Sequence, residues 1–242
     1  MTEPNPTDQV EGAIRGEAFT LDPSDPAYAG QAAYTPKVLR AYDLVIVKLS
    51  NSWVWRCPAP EIQRFYDRHL TATHLEVGPG TGYYLDHAGF PTSTPQVTLL
   101  DPNAEVLRYA AHRLRRYEPS LHAANALAPL DLAPASFGSA ALGYVLHCLP
   151  GDIAAKAVVL DHLVPAVRPG GVIFGTTILH DGVDQTRLAR RVLRLYNRKG
   201  IFANTGDDLA GLRRELADRF PRYELDVVGS VALFAGWVDG DP

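Results

Sequence analysis

From Thr71 to Val238 the chain alternates short apolar runs with longer segments whose apolar residues recur at three- and four-residue steps. That is the pattern of strand–helix–strand units and a mainly parallel sheet. The predicted strands are THLEV (73–77), QVTLLD (96–101), a short segment near 121–124, GSAALGYVL (138–146), VIFGTTIL (172–179), YELDVVG (223–229) and VALFAGWV (231–238). Helices are predicted between them over GYYLDHAGF, NAEVLRYAAHRLRRY, DIAAKAVVLDHLVPAV, DQTRLARRVLRLYNR and GDDLAGLRRELADRF. Little more than Gly229-Ser230 separates the last two strands, so they read as an antiparallel hairpin closing one edge of the sheet.

Ahead of this region, residues 34–70 carry helical periodicity at Val38, Leu39, Tyr42, Val45 and Ile46, and Pro58 and Pro60 introduce a helix over EIQRFYDRHL. Residues 1–33 mix Pro, Gly, Asp and Glu with few periodic apolar positions and read as a flexible or irregular arm. The expected organisation is an arm (1–33), a helical segment laid over the core as a lid (34–70) and a core (71–242). The fold class is α/β: a Rossmann-like, seven-stranded, mainly parallel sheet with a C-terminal antiparallel hairpin, helices on both faces and an N-terminal helical lid.

Composition narrows the function. The 242 residues suit one α/β domain with a small appendage, and 46% hydrophobic with 21% charged residues describes a globular chain. A net charge of −4 gives no basic footprint for nucleic acid. The two cysteines, Cys57 and Cys148, supply neither paired zinc spacing nor a disulfide framework, which suits a reducing cytoplasm. No signal-peptide pattern and no apolar run of about 18 residues occurs, so neither a membrane span nor an anchor is expected.

The chemistry is written in LEVGPGTGYYL (75–85). Glu76 stands at the end of a strand, and Gly78, Gly80 and Gly82 follow before a helix. Glycine permits the backbone angles of such a turn and lets a cofactor lie against the main chain. Asp101 ends the next strand, about 20 residues on, the spacing at which a carboxylate accepts both hydroxyls of a ribose. Asp101 also suits the N-cap of the helix that begins NAEVL, and the two roles are compatible. A dinucleotide fingerprint, GxGxxG, requires glycine where this chain has Tyr83. The GxGxG spacing favours the amino-acid end of a nucleoside-linked amino acid over a pyrophosphate.

This combination resembles motif I of the class I S-adenosylmethionine-dependent methyltransferases. The resemblance implies that the loop of Glu76, Gly78, Gly80 and Gly82 faces the methionine part of S-adenosylmethionine. It implies that Asp101 holds the ribose, that Pro102 and Asn103 line the adenine, and that Asn125 and Ala126 lie near the adenine amino group. GSAALGYVLHCLPG (138–151) is similar to the family's fourth-strand motif, and VRPGGVIFGTTIL (167–179) to its turn into the fifth strand. The stretches WRCPAP, GTGYYLD, LLDPN, LHCLPG, FGTTIL and YNRKGIFAN together resemble a group of small bacterial and fungal methyltransferases, some tied to secondary metabolism. Where family members carry Asp or Asn shortly before the fourth strand's end, this chain has Gly143 and Ser139.

His147 and His180, at the ends of the fourth and fifth strands, are the candidate catalytic bases, because open α/β sheets place ligands at carboxyl strand ends. His147 also reads as a cofactor-pocket residue acting through its backbone, and Cys148 as a small buried residue. Tyr34, Tyr42 and Trp53, with Trp55, are the candidate acceptor-pocket residues of the lid; packing of the lid onto the core is the alternative role. Arg187, Arg190, Arg191, Arg194, Arg198 and Lys199 read as the solvated face of a helix whose Leu188, Val192 and Leu195 point inward. No metal-ligand spacing is present. The expected activity is methyl transfer to the oxygen or nitrogen of a small-molecule acceptor. A nicotinamide (NAD or NADP) oxidoreductase and a non-catalytic S-adenosylmethionine-binding module are the alternatives.

Overall fold

The computed structural model describes residues 14–15 and 50–240. The described residues form an eight-stranded sheet in the order β1-β4-β3-β2-β5-β6-β8-β7. Its strands are β1 (Ile14–Arg15), β2 (Thr73–Val77), β3 (Gln96–Leu100), β4 (Ser120–His122), β5 (Phe137–Gly143), β6 (Val167–Ile178), β7 (Arg222–Val228) and β8 (Val231–Trp237). All neighbours run parallel except β8, which is antiparallel to both β6 and β7. The expected hairpin is present. The sheet gains an eighth strand from the arm, where Ile14 and Arg15 pair with Leu121 and His122. The rest of the arm and lid residues 34–49 lie outside the described residues.

The helices are α1 (Ala59–His69), α2 (Tyr83–Asp86), α3 (Ala104–Arg113), α4 (Ile153–Lys156), α5 (Val158–Leu163), α6 (Arg187–Arg198) and α7 (Leu209–Arg219). Strand alternation sends Leu75 and Val77 into the core shared with α4, α5 and α7, and sends Phe174 to the opposite face, where α1, α3 and α6 pack. On α6 the buried residues are Ala189 and Leu193, with Val192 and Tyr196 beside them. Leu188 and Leu195, expected to point inward, are 50% and 40% exposed. Five arginines crowd α6, and the face that packs is the one free of them.

Two other elements are shorter than their periodicity predicts. The segment after the glycine loop makes one helical turn, α2, and the DIAAKAVVLDHLVPAV stretch divides into α4 and α5. Because β2 pairs with β3 on one side and β5 on the other, the chain leaves their carboxyl ends in opposite directions. A crevice opens there, as at the reversal point of other open α/β sheets.

Candidate functional site: a glycine-loop cavity

The crevice is a cavity of about 300 Å³. One end is built by the loop after β2. Gly78, Gly80 and Gly82 all have positive φ, at 66°, 53° and 72°, so each sits where a Cβ-bearing residue is strained. A Cβ on Gly78 would come within 2.7 Å of Val145, whereas one on Gly80 would meet nothing within 4 Å and would project into open space. The loop thus leaves a bare stretch of main chain on the cavity wall, the shape that a ligand lying against the backbone requires.

Two carboxylates flank the loop. Asp101 is buried, and its Oδ1 accepts a hydrogen bond from the Asn103 amide at 2.7 Å. Asn103 in turn caps α3, its side chain accepting from the Glu105 amide at 2.9 Å. Asp101 is therefore not the cap and is left facing the cavity. Burial pushes its carboxyl up to about 7, against the lowering effect of the Asn103 amide. Glu76 is buried between two partners: Tyr66 donates its hydroxyl to Oε1 at 2.8 Å, and His74 Nε2 lies 3.0 Å from Oε2. Beyond His74, Ser139 Oγ lies 2.9 Å from Nδ1, so the chain of contacts runs from β5 to the cavity.

Pro102, Asn103, Asn125 and Ala126 line the same cavity. Aromatic side chains line it as well: Trp55, Tyr66, Tyr83, Tyr84, Tyr144, Tyr196 and Phe202. Ser50, Asn51 and Trp55 reach it from a wide helical turn in which the Trp55 amide bonds to the Ser50 carbonyl at 3.1 Å. Asn51 Nδ2 donates to the Tyr84 hydroxyl at 3.1 Å. Tyr196, Ile201 and Phe202 come from the end of α6 and the loop after it. This loop is tied down by Asn204, whose side chain donates to the Ile178 carbonyl at 2.8 Å.

Residues 75–173 match the methyltransferase domain family. Over 208 residues the chain is 41% identical to the demethylluteothin O-methyltransferase of Streptomyces thioluteus, covering 86% of this chain and 90% of that protein. The chain belongs to the S-adenosylmethionine-dependent methyltransferases. It is 32% identical over 211 residues to the physcion biosynthesis cluster O-methyltransferase of Aspergillus chevalieri, spanning 86% of this chain and 95% of the relative. A solved structure of DhpI with S-adenosylhomocysteine has the same fold, with a TM-score of 0.62 at 18% identity over 89% of this chain and 98% of that one. The methyltransferase's cofactor is S-adenosylmethionine. The bare glycine loop and the buried carboxylates Glu76 and Asp101 fit its main-chain contact, amino group and ribose.

The methyltransferase brings His147 to the cavity wall and leaves His180 out of it. His147 does not end β5, which stops at Gly143; it sits in a tight turn over Leu146–Cys148. Its Nδ1 faces the Ile178 amide at 3.4 Å, and its ring packs edge-on against Phe202. Burial, reinforced by the positive charge of Lys156, pulls the imidazole down to about 3. His180 lines a separate cleft with Arg187, Arg190, Arg191 and Arg194.

Cys148 is half-buried in the cavity wall, with its thiol pushed up to about 12 by burial. Trp53 is 75% exposed and outside the cavity lining. Tyr34 and Tyr42 lie outside the described residues. Among the described residues no cluster of three or more metal-binding side chains occurs, and no helix is long and apolar enough to cross a membrane. Sequence reasoning missed Tyr66, Tyr84, Tyr196 and Phe202; the signal available for the last two was the YNRKGIFAN stretch, quoted for resemblance and given no role.

Proposed function

We propose that the protein methylates an oxygen of a small, flat, largely apolar acceptor. The observation that carries this reading is one cavity lined both by a glycine loop with two carboxylates and by seven aromatic residues. Aromatic walls bind planar apolar molecules through large contact area and stacking or edge-to-face geometry. Two relatives named as O-methyltransferases support oxygen as the nucleophile.

S-adenosylmethionine supplies an electrophilic methyl group on a sulfonium centre, and transfer leaves a neutral thioether. The chain's own residues bind and align. Glu76 meets the amino end of the methionine portion, the glycine loop holds its main chain, Asp101 accepts from the ribose hydroxyls, and Asn125 and Ala126 border the adenine. The aromatic wall holds the acceptor and excludes water, so that orientation does most of the catalytic work.

His147 is the candidate catalytic residue at the acceptor end. With its pKa held at about 3 it remains neutral at physiological pH and is a weak proton acceptor, so its role is to hydrogen-bond and orient the acceptor, whose hydroxyl proton passes to solvent before the ionised oxygen takes the methyl group. His180 is withdrawn from the catalytic set, because it lines a separate cleft.

The test is incubation of the purified protein with S-adenosylmethionine and a panel of phenols, enols, carboxylic acids and amines, read by mass spectrometry. A gain of one methyl group on an oxygen nucleophile is the expected result. Methylation confined to amines would overturn the assignment to oxygen, and cofactor binding without turnover would favour a binding module.

A further inference from the structure

Tyr66 belongs to α1, outside the strand–loop units that carry the cofactor motif, yet its hydroxyl ends at the cavity wall against Glu76. The ring is fully buried, stacked on Tyr84 at 5.2 Å and edge-on to Phe174 at 5.1 Å. Its hydroxyl occupies the space beside Gly143, at the end of β5, where a Cβ would collide with it. Here the strand contributes no side chain, and a hydroxyl arrives from a different element.

The consequence for Glu76 is geometric. With His74 at Oε2 and Tyr66 at Oε1, the carboxylate is held from both sides in one orientation. Hydrogen bonds to an ionised acceptor are among the stronger and more directional contacts in proteins. The stack on Tyr84 connects the same ring to the turn that follows Gly82, so Tyr66 touches both parts of the loop's frame.

We infer that Tyr66 is a positioning residue for the methionine end of the cofactor, orienting the Glu76 carboxylate from the helix that precedes the nucleotide-binding units. The inference rests on the reading that Glu76 meets the amino-acid portion of S-adenosylmethionine. It makes Tyr66 and Gly143 a matched pair: the hydroxyl needs the missing side chain.

Calorimetric titration with S-adenosylmethionine, S-adenosylhomocysteine and 5′-methylthioadenosine tests it, because the third ligand has the nucleoside and sulfur without the amino acid. Tyr66→Phe is expected to weaken the first two about tenfold, the loss of one charge-assisted hydrogen bond, and methylthioadenosine less than about twofold. Gly143→Ala, which displaces the hydroxyl, is expected to show the same selectivity. Combined with Tyr66→Phe it is expected to add no further loss.

Equal weakening of all three ligands, or unchanged affinities with a lower melting temperature, would reduce Tyr66 to a packing residue and overturn the inference. Should Tyr66→Phe fail to fold, Gly143→Ala alone carries the same comparison. A wild-type protein that binds methylthioadenosine as tightly as S-adenosylhomocysteine would instead remove the reading of Glu76 itself.

Discussion

Asp101 and His147 are buried titratable groups shifted in opposite senses, and each shift has a measurable consequence. The Asp101 carboxyl sits at about 7 because burial disfavours its charge, while ribose hydroxyls donate and so favour the ionised form. Cofactor affinity is expected to rise about tenfold between pH 6 and pH 8 and then level off, with a proton released on binding. Titration in buffers of different ionisation enthalpy measures that proton, and Asp101→Asn is expected to flatten the pH dependence.

The same two groups act on stability in opposite directions. Native Asp101 keeps a proton that the unfolded chain loses above about 3.8, so its contribution is full below that pH and is lost as pH rises toward 7. Native His147, at about 3, refuses a proton that the unfolded chain takes up below about 6.5, so its contribution is lost as pH falls from 6.5 toward 3. Between pH 4 and 6.5 the two offset each other. Asp101→Asn removes one side of the balance, and urea unfolding is expected to show a pH slope steeper by about 1.4 kcal/mol per unit, falling toward acid.

The cofactor half of the site was readable because its residues are close in sequence and fixed by one strand–loop–helix unit. Glu76, Asp101 and the three glycines all reach the cavity. The acceptor half was readable only in part: Trp55 was a candidate and lines the cavity, whereas Tyr196 and Phe202 reach it only through the way α6 and the loop after it pack. His180 shows the limit of the strand-end rule: it follows Ile178 by two residues, and that is enough to turn it into another cleft.

At the level of elements, the glycine loop separates two effects that substitution usually mixes. Gly78→Ala brings a Cβ within 2.7 Å of Val145 in a left-handed conformation, and is expected to lower unfolding stability by about 1–3 kcal/mol. Gly80→Ala carries backbone strain without a collision and is expected to cost about 1 kcal/mol, while its methyl group in the cavity reduces cofactor affinity more than tenfold. Chemical denaturation and calorimetry on the two variants would distinguish them; equal affinity loss per unit of stability lost would contradict the distinction.

The orientation of α6 was misjudged for a related reason. Leu188, Val192 and Leu195 form an apolar stripe on paper, but of these only Val192 packs inward, beside Ala189, Leu193 and Tyr196 on the face opposite the arginines. A helix carrying two narrow stripes is resolved by its neighbours, not by its own periodicity. The central strands β2, β5 and β8 were read with less error because each is buried on both faces and only its length and place had to be found.

Across the molecule, a buried ion pair fastens the acceptor wall to the rest of the fold. Lys156 on α4 donates to both Asp207 oxygens at 2.6 and 2.7 Å and to the Ala203 carbonyl at 2.8 Å. Burial draws the Asp207 carboxyl up to about 6 and the Lys156 ammonium down, and the pairing opposes both shifts. Removing one partner leaves the other charge stranded, so Lys156→Met is expected to cost about 3–5 kcal/mol. Lys156→Met with Asp207→Leu is expected to recover much of that loss in a double-mutant unfolding cycle, and simple additivity would argue against the pair as the fastening.

The position of β8 bears on how this chain is made. The sheet runs β6-β8-β7, so the strand that leaves the ribosome last among the eight is slotted between two that are already synthesised. Until residues 231–237 emerge, one long side of β6 and one side of β7 present unpaired amides and carbonyls, a template for strands of other chains. A nascent chain stalled before Val231 therefore carries the nucleotide-binding loop in full and yet is the form most in need of a chaperone.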